Sequence, residues 1–317
     1  PEWKVMSFMI FFAALLIIAA CLIIFHDIHY FHIVRYQLTH PKLKKALRLV
    51  VLADLHDARF GKHNERLAAK VRELSPDLIL IAGDMVTSGK HSDYTGAEDL
   101  LCGLAGMFSI YYGMGNHESR IVSDPVYYGM GNHESRIVND PEENGERFEE
   151  YKRKLSRAGV VFLQNETVVL DEYNIALHGL ELEKEYYRKW GRSSLPSYYM
   201  KEKFGKASPE AFHLLIAHNP EFFPQYADWR ADLVVSGHVH GGIVRLPVLG
   251  GVVSTSFRLF PKYDGGLFME KNSAMVISRG LGWHSIPVRM FNPGECVVID
   301  LKPGEKADGH ICKAGEI

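Results

Sequence analysis

The sequence predicts an α/β fold behind a single membrane-spanning helix, and three observations carry that expectation. From about residue 46 onward, short apolar runs alternate with amphipathic segments. Five of those runs finish on Asp, Asn or His, often beside a glycine. Ahead of them the stretch Val5–Phe25, VMSFMIFFAALLIIAACLIIF, carries no charge.

Composition narrows the class. The chain has 317 residues, enough for one large α/β domain or two small ones. With 47% hydrophobic and 23% charged residues it is globular in type. A net charge of −2 gives no sign of a nucleic-acid partner, which would call for a basic excess. Cys21, Cys102, Cys296 and Cys312 are far apart with no CxxC pair, so they are expected to pack rather than to form disulfides or hold a metal.

At 1.5 Å per residue, Val5–Phe25 makes a helix of roughly 30 Å, the thickness of a bilayer core. A signal sequence has a shorter apolar region and an A-x-A-like site, which is not found here, so a span is expected. Lys4 precedes it, whereas Arg35, Lys42, Lys44, Lys45 and Arg48 follow. The positive-inside rule would keep the main domain in the cytoplasm unless residues 33–48 belong to that domain, so the side stays open. His26, His29 and His32 would suit a metal only on a helix. The preferred reading is an interfacial segment with Tyr30 and Phe31 at headgroup level.

The five runs are LRLVVLADLH, DLILIAGD, SIYYGMGNHE, FHLLIAHNP and ADLVVSGHVH. They read as strands buried on both faces, ending at Asp54 and His56, at Asp84, at Asn116 and His117, at His218, and at His238 and His240. Between them Asn64 is a candidate N-cap for a helix bearing Leu67, Val71 and Leu74, with Ser75-Pro76 as its stop. Phe148, Tyr151 and Leu155 repeat that pattern before a C-cap Gly159. Asn219-Pro220 reads as N-cap and first helical residue.

Ligands in open α/β sheets gather outside the carboxyl ends of strands. Carboxylate, carboxamide and imidazole groups without thiolate suit manganese, iron or zinc. Asp-x-His and His-x-His would each project two side chains to one place from an extended backbone. There are more donors than one ion needs, so a pair sharing a carboxylate is expected. Two such ions can clamp a phosphoryl group and deprotonate a water for in-line attack.

Asp54-Leu55-His56, Gly83-Asp84, Gly115-Asn116-His117-Glu118, His218 and Gly237-His238-Val239-His240 resemble, in order, the five motifs of calcineurin-like metallophosphoesterases. The resemblance runs from about residue 47 to 303. SRGLGWHSIPVRMFNPGE is similar to the membrane-anchored bacterial branch of that family. The resemblance implies a four-layer α/β/β/α sandwich of two mixed sheets flanked by helices. It also implies that Asp54, His56 and His240 hold one metal, that Asn116, His218 and His238 hold a second, and that Asp84 bridges them. His117 would stay off the metals and help the leaving oxygen depart. The ions would be divalent or mixed-valence manganese, iron or zinc, and a metal-bound hydroxide would cleave a phosphoester or pyrophosphate bond. Branch relatives imply a lipid-linked or cell-envelope substrate. The alternatives are a phosphodiesterase of soluble nucleotides and a non-catalytic metal-stabilised scaffold; no protein partner is identifiable. The expected organisation is a span at 5–25, a juxtamembrane linker with a possible first strand at 26–46, the catalytic domain at 47–303 and a tail at 304–317.

One feature complicates the third motif. Tyr111–Val122 recurs letter for letter at Tyr127–Val138, so a 16-residue segment is duplicated (111–126 and 127–142). Only one copy can fill the sheet position that delivers Asn and His. Placing the surplus after His117, on the active-site side, is easier than lengthening a helix-to-strand connection. Asn116 and His117 are therefore expected at the site, with Asn132 and His133 as the alternative. Arg188 and Arg192, in an aromatic and basic stretch, and Arg279 in a glycine-rich turn are candidate substrate contacts. The competing readings are inward-packed aromatics for the stretch and a structural ion pair for Arg279. His178 reads as a core histidine.

Overall fold

The computed structural model describes residues 2–56, 58–88, 92–123, 141–187, 194–242, 244–246, 250–253, 259–283, 287–304 and 311–316. A long helix α1 (Glu2–His29) leads into β1 (Phe31–His40) and β2 (Leu47–Leu52). Then follow α2 (Glu65–Leu74), β3 (Leu78–Ala82), α3 (Thr95–Ala105), β4 (Ser109–Gly113), α4 (Asn116–Ser123), α5 (Pro141–Ala158) and β5 (Val160–Leu163). The second half holds β6 (Glu166–Leu170), β7 (Ile175–Leu180), α6 (Tyr199–Phe204), β8 (Phe212–Ala217), α7 (Phe223–Trp229) and β9 (Leu233–Ser236). It closes with β10 (Val244–Leu246), β11 (Gly250–Val253), β12 (Gly266–Glu270), β13 (Ser273–Ile277), β14 (Gly294–Pro303) and β15 (Ile311–Glu316).

Two mixed sheets form, ordered β15-β1-β14-β2-β3-β4-β5 and β12-β13-β9-β8-β7-β6. Strand periodicity explains the layers. Leu49, Val51, Leu78 and Leu80 meet Phe212, Leu214, Ile216, Leu233 and Val235 between the sheets. The alternate residues Val50, Leu52, Ile79 and Ile81 face outward onto Leu67, Val71, Leu100, Leu104, Phe148 and Leu155 of α2, α3 and α5. Leu215, Ala217 and Val234 pack outward on Met200 of α6 and Tyr226 and Trp229 of α7. All five runs are strands, and the four-layer sandwich is confirmed.

The sequence expectations need adjusting at several points. Within residues 26–46 the possible first strand is present as β1, while α1 continues to His29, leaving only Tyr30 between them. His26 and His29 sit on its last turn while His32 is on β1, so the three do not share a helix. Arg35 lies on β1, and Arg48 on β2 binds Asp300 at 2.7 Å. These charges belong to the folded domain, so the charge count leaves the side open. The expected tail carries β15, paired antiparallel with β1. Asn64 does precede α2, but in a left-handed conformation and without a side-chain cap bond. Its Oδ1 instead accepts from the Phe60 backbone N–H at 2.7 Å. Asn219 caps as expected, accepting from the Glu221 N–H at 3.0 Å. His178 is buried against His213, with ring nitrogens 3.0 Å apart.

Candidate metal centre

The five strand ends converge on one pocket. Asp54, His56 and His240 bring ligand atoms within 4.8 Å of one another, as do Asp84, His218 and His238, and also His56, Asp84 and His117. Across the pocket His56 Nε2 and His240 Nε2 are 3.1 Å apart, and His218 Nε2 is 3.2 Å from Asp84 Oδ2. His240 Nε2 lies 3.4 Å from Asp54 Oδ1. Asn116, buried, opens α4 at the same place.

The backbone is bent to achieve this. Asp54, His56, Asp84, His238 and His240 all have positive φ, between 45° and 74°. Such left-handed conformations are unusual for non-glycine residues, and their clustering marks a site where strain is held by its surroundings. The paired ligands therefore do not project from extended strands as the motif spacing suggested. They sit on tight turns just past the strands, stitched together by Asp54 N–H to Gly83 O at 3.0 Å and Gly237 N–H to His218 O at 3.2 Å. Two motif glycines permit the close approach. A Cβ on Gly237 would stand 2.5 Å from Asp54 Oδ2, and one on Gly115 would overlap Asp84 Oδ1.

Hydrogen bonds aim the donors. His218 Nδ1 meets Ala82 O at 2.6 Å, which directs Nε2 into the pocket. Asp84 Oδ1 accepts from the His117 N–H at 2.8 Å, at the positive end of α4. Asp54 accepts from the His238 N–H at 3.0 Å. His117 Nδ1 accepts from the Ser88 N–H at 3.1 Å, so a neutral His117 carries its proton on Nε2.

Burial pushes the Asp54 carboxyl up to about 7, with the charge of Asp84 adding to the effect. Burial also works against a charged Asp84, but His218, His117 and His56 together hold its carboxyl well below the ordinary value. Burial disfavours a cationic His218, yet Asp84 and Asp54 overcome it and raise the imidazole to about 10.

A donor set for metals should leave buried lone pairs unclaimed. Asn116 Oδ1 is buried and makes no hydrogen bond, and Asp84 Oδ2 and His218 Nε2 are buried with only each other, 3.2 Å away. They fit ions bound by oxygen and nitrogen donors without thiolate.

Sequence reasoning gave Glu118 no role, yet it clamps the turns. Fully buried, it accepts from the N–H groups of Asp84 at 2.9 Å, Met85 at 2.8 Å and Gly115 at 3.0 Å, and from the Tyr112 hydroxyl at 2.7 Å. Burial, with the neighbouring Asp84 carboxylate, pushes the Glu118 carboxyl up to about 8, against these four donors, which favour the charged form. Glu118→Gln should destabilise the fold by about 2–3 kcal/mol in urea unfolding, because an amide N–H₂ would face those donors. Asn292 was also missed. Its Nδ2 donates to His240 O at 2.7 Å and Gly242 O at 2.8 Å. The signal available was its place in the quoted FNPGE stretch.

Arg279 binds the buried carboxylate of Glu295, the structural pairing weighed from the sequence. Arg188, Arg192, Asn132 and His133 lie outside the described residues. The aromatics Tyr187 and Tyr199 beside that stretch pack inward, and Tyr187 reaches His238 with ring centroids 5.3 Å apart.

A model described as calcineurin-like phosphoesterase matches residues 47–242. The chain is 26% identical over 264 residues to an uncharacterised metallophosphoesterase of Campylobacter jejuni, covering 83% of this chain and 61% of that one. It is 25% identical over 269 residues to a Danio rerio transmembrane protein with a metallophosphoesterase domain, covering 83% and 54%. It is 24% identical over 286 residues to the UDP-2,3-diacylglucosamine pyrophosphatase of Chlamydia muridarum, covering 80% and 83%. The chain therefore spans between about half and three-fifths of the first two relatives. With its motifs in order and its strand-end donors gathered, the chain belongs to the calcineurin-like phosphoesterase family.

Proposed function

We propose that the protein is a membrane-anchored phosphoesterase that uses two metal ions to hydrolyse a lipid-linked phosphodiester or pyrophosphate. The observation that carries this reading is the shared pocket: Asp84 belongs to two of the three converging groups, and its buried Oδ2 faces only candidate ligands, His218 Nε2 at 3.2 Å and His56 Nε2 at 3.8 Å. Asp54, His56 and His240 would hold one ion, Asn116, His218 and His238 the other, with Asp84 between them. Ions bound there would neutralise charge on the phosphoryl oxygens and lower the pKa of the attacking water.

The chain's own groups do the rest. His117 carries its proton on Nε2 and is the general acid for the leaving oxygen. Ser88 fixes that tautomer through its N–H. The Ala82 carbonyl keeps the His218 ring turned toward the pocket.

Two observations support a membrane-bound substrate. Helix α1 is long and apolar enough to cross a bilayer, and its most apolar 18-residue window packs against nothing in the domain, which meets the helix only at its last turn. One relative is named for cleaving a diacylglucosamine pyrophosphate.

Purified protein should hydrolyse a generic aryl phosphodiester with added manganese and lose that turnover to a chelator. Manganese at 100 times its Kd should also stabilise the fold by about 2.7 kcal/mol per site, measured as a rise in the urea midpoint. Metal-dependent stabilisation without turnover would favour the scaffold reading. Preference for cyclic nucleotides over lipid pyrophosphates would reject the lipid-linked substrate.

A further inference from the structure

The metal centre and the end of α1 occupy the same edge of the seven-stranded sheet. Strand β14 runs antiparallel to β2, with Val297 opposite Val51, and β1 runs parallel to β14, with Phe31 opposite Gly294. The start of β1 therefore lies at the edge where β2, β3 and β4 end and hand over their ligands. Only Tyr30 separates α1 from β1, a reach of about 3.5 Å. The domain has no slack with which to turn away from the helix.

Side chains lock this arrangement. Asp27, on the last turn of α1, is buried, and its Oδ2 accepts from the Asn292 N–H at 2.8 Å. Asn292 in turn holds the carbonyls of His240 and Gly242. The helix end is thus one residue removed from a metal-ligand turn.

An apolar surface spreads outward from that contact. Met290 bridges to Val244 of β10, β10 pairs with β11, and Val253 of β11 bridges to Leu259. Along these adjacent segments Phe291, Leu259 and Phe260 are 45%, 68% and 61% exposed. Basic groups flank it. Arg66, exposed, stacks 5.1 Å from the half-exposed Tyr30 ring, and exposed Lys262 follows Phe260 by two residues. Apolar tips, a tyrosine at the helix exit and flanking cations are the signature of a surface seated at lipid headgroups.

We propose that this edge lies flat on an anionic bilayer, with Phe260 and Phe291 dipping into it and Arg66 and Lys262 on the headgroups. The metal pocket then opens toward the membrane plane, and a phosphate at headgroup depth reaches it without leaving the lipid. The proposal rests on α1 being a membrane anchor, and the test separates the two.

Full-length protein carrying p-benzoylphenylalanine in place of Phe260, Ile17 or Val169 is reconstituted into phosphatidylethanolamine and phosphatidylglycerol vesicles and irradiated. Adducts are read by mass spectrometry. Lipid adducts are expected at Phe260 and at Ile17 of α1, but not at Val169, which is exposed on β6 of the other sheet. Exchanging phosphatidylglycerol for phosphatidylcholine should lower the Phe260 yield several-fold, and an unchanged yield would reject the anionic contact. An adduct at Ile17 with none at Phe260, or equal yields at Phe260 and Val169, would overturn the docking while leaving the anchor intact. No adduct at Ile17 would overturn the anchor itself, and the docking with it.

Discussion

Replacing Asp84 with alanine should cut phosphodiester turnover by on the order of 10³-fold or more, several kcal/mol of lost transition-state stabilisation. Asp84 is where the two ligand groups meet: its Oδ2 is 3.2 Å from His218 Nε2 and 3.8 Å from His56 Nε2. Its other oxygen is tied to the His117 N–H, so under the proposed mechanism the same side chain would position both the acid and the metals. No neighbour can substitute, since Glu118 is committed to backbone donors. Elemental analysis should find about two equivalents of metal in the parent protein and fewer in Asp84→Ala. Asp84→Asn keeps the shape and one acceptor but not the charge, and should fall between them. Two retained equivalents together with more than a tenth of the parent rate would sink the bridging role.

Replacing His117 with alanine should lower turnover by about 10²–10⁴-fold while leaving metal content unchanged, as expected for a proton donor that binds no ion. His133→Ala should have little effect. The structure seats the first copy of the duplicated segment in the sheet, with β4 paired to β3 on one side and β5 on the other. The Tyr112 and Glu118 clamp also belongs to that copy. The second copy carries Tyr128 and Glu134 at the same spacing in the sequence, so in the same sheet position it would offer the same contacts. Loss in His133→Ala with activity retained in His117→Ala would place the second copy at the site. Partial loss in each would show that the copies exchange. The leaving group gives a further check. The His117→Ala deficit should shrink for a nitrophenyl ester, whose leaving oxygen needs no proton, and persist for an alkyl ester.

Much of the fold was legible because it depends on short-range patterning. A run such as LILIA buries all its side chains on a pleated strand, and alternate residues necessarily face different layers. Residue types at the strand ends likewise announced a site, since Asp, Asn and His beside glycine follow strand after strand. The copy of the repeat used in the sheet was approached by a loop-length argument, which is physical but weak.

What the sequence by itself determined, then, was the apolar N-terminal helix, the sandwich layers and the donor types brought to one edge. Only the tertiary structure decided that the candidate ligands stand on left-handed turns, that Glu118 ties those turns together and that Arg279 pairs with Glu295. It alone decided that Asp27 and Asn292, 265 positions apart, join α1 to the His240 turn. The physical reason is range. Periodicity and motif spacing report a residue's neighbours within a few positions, whereas these contacts arise from strand order and register, which bring together segments that share no local signal.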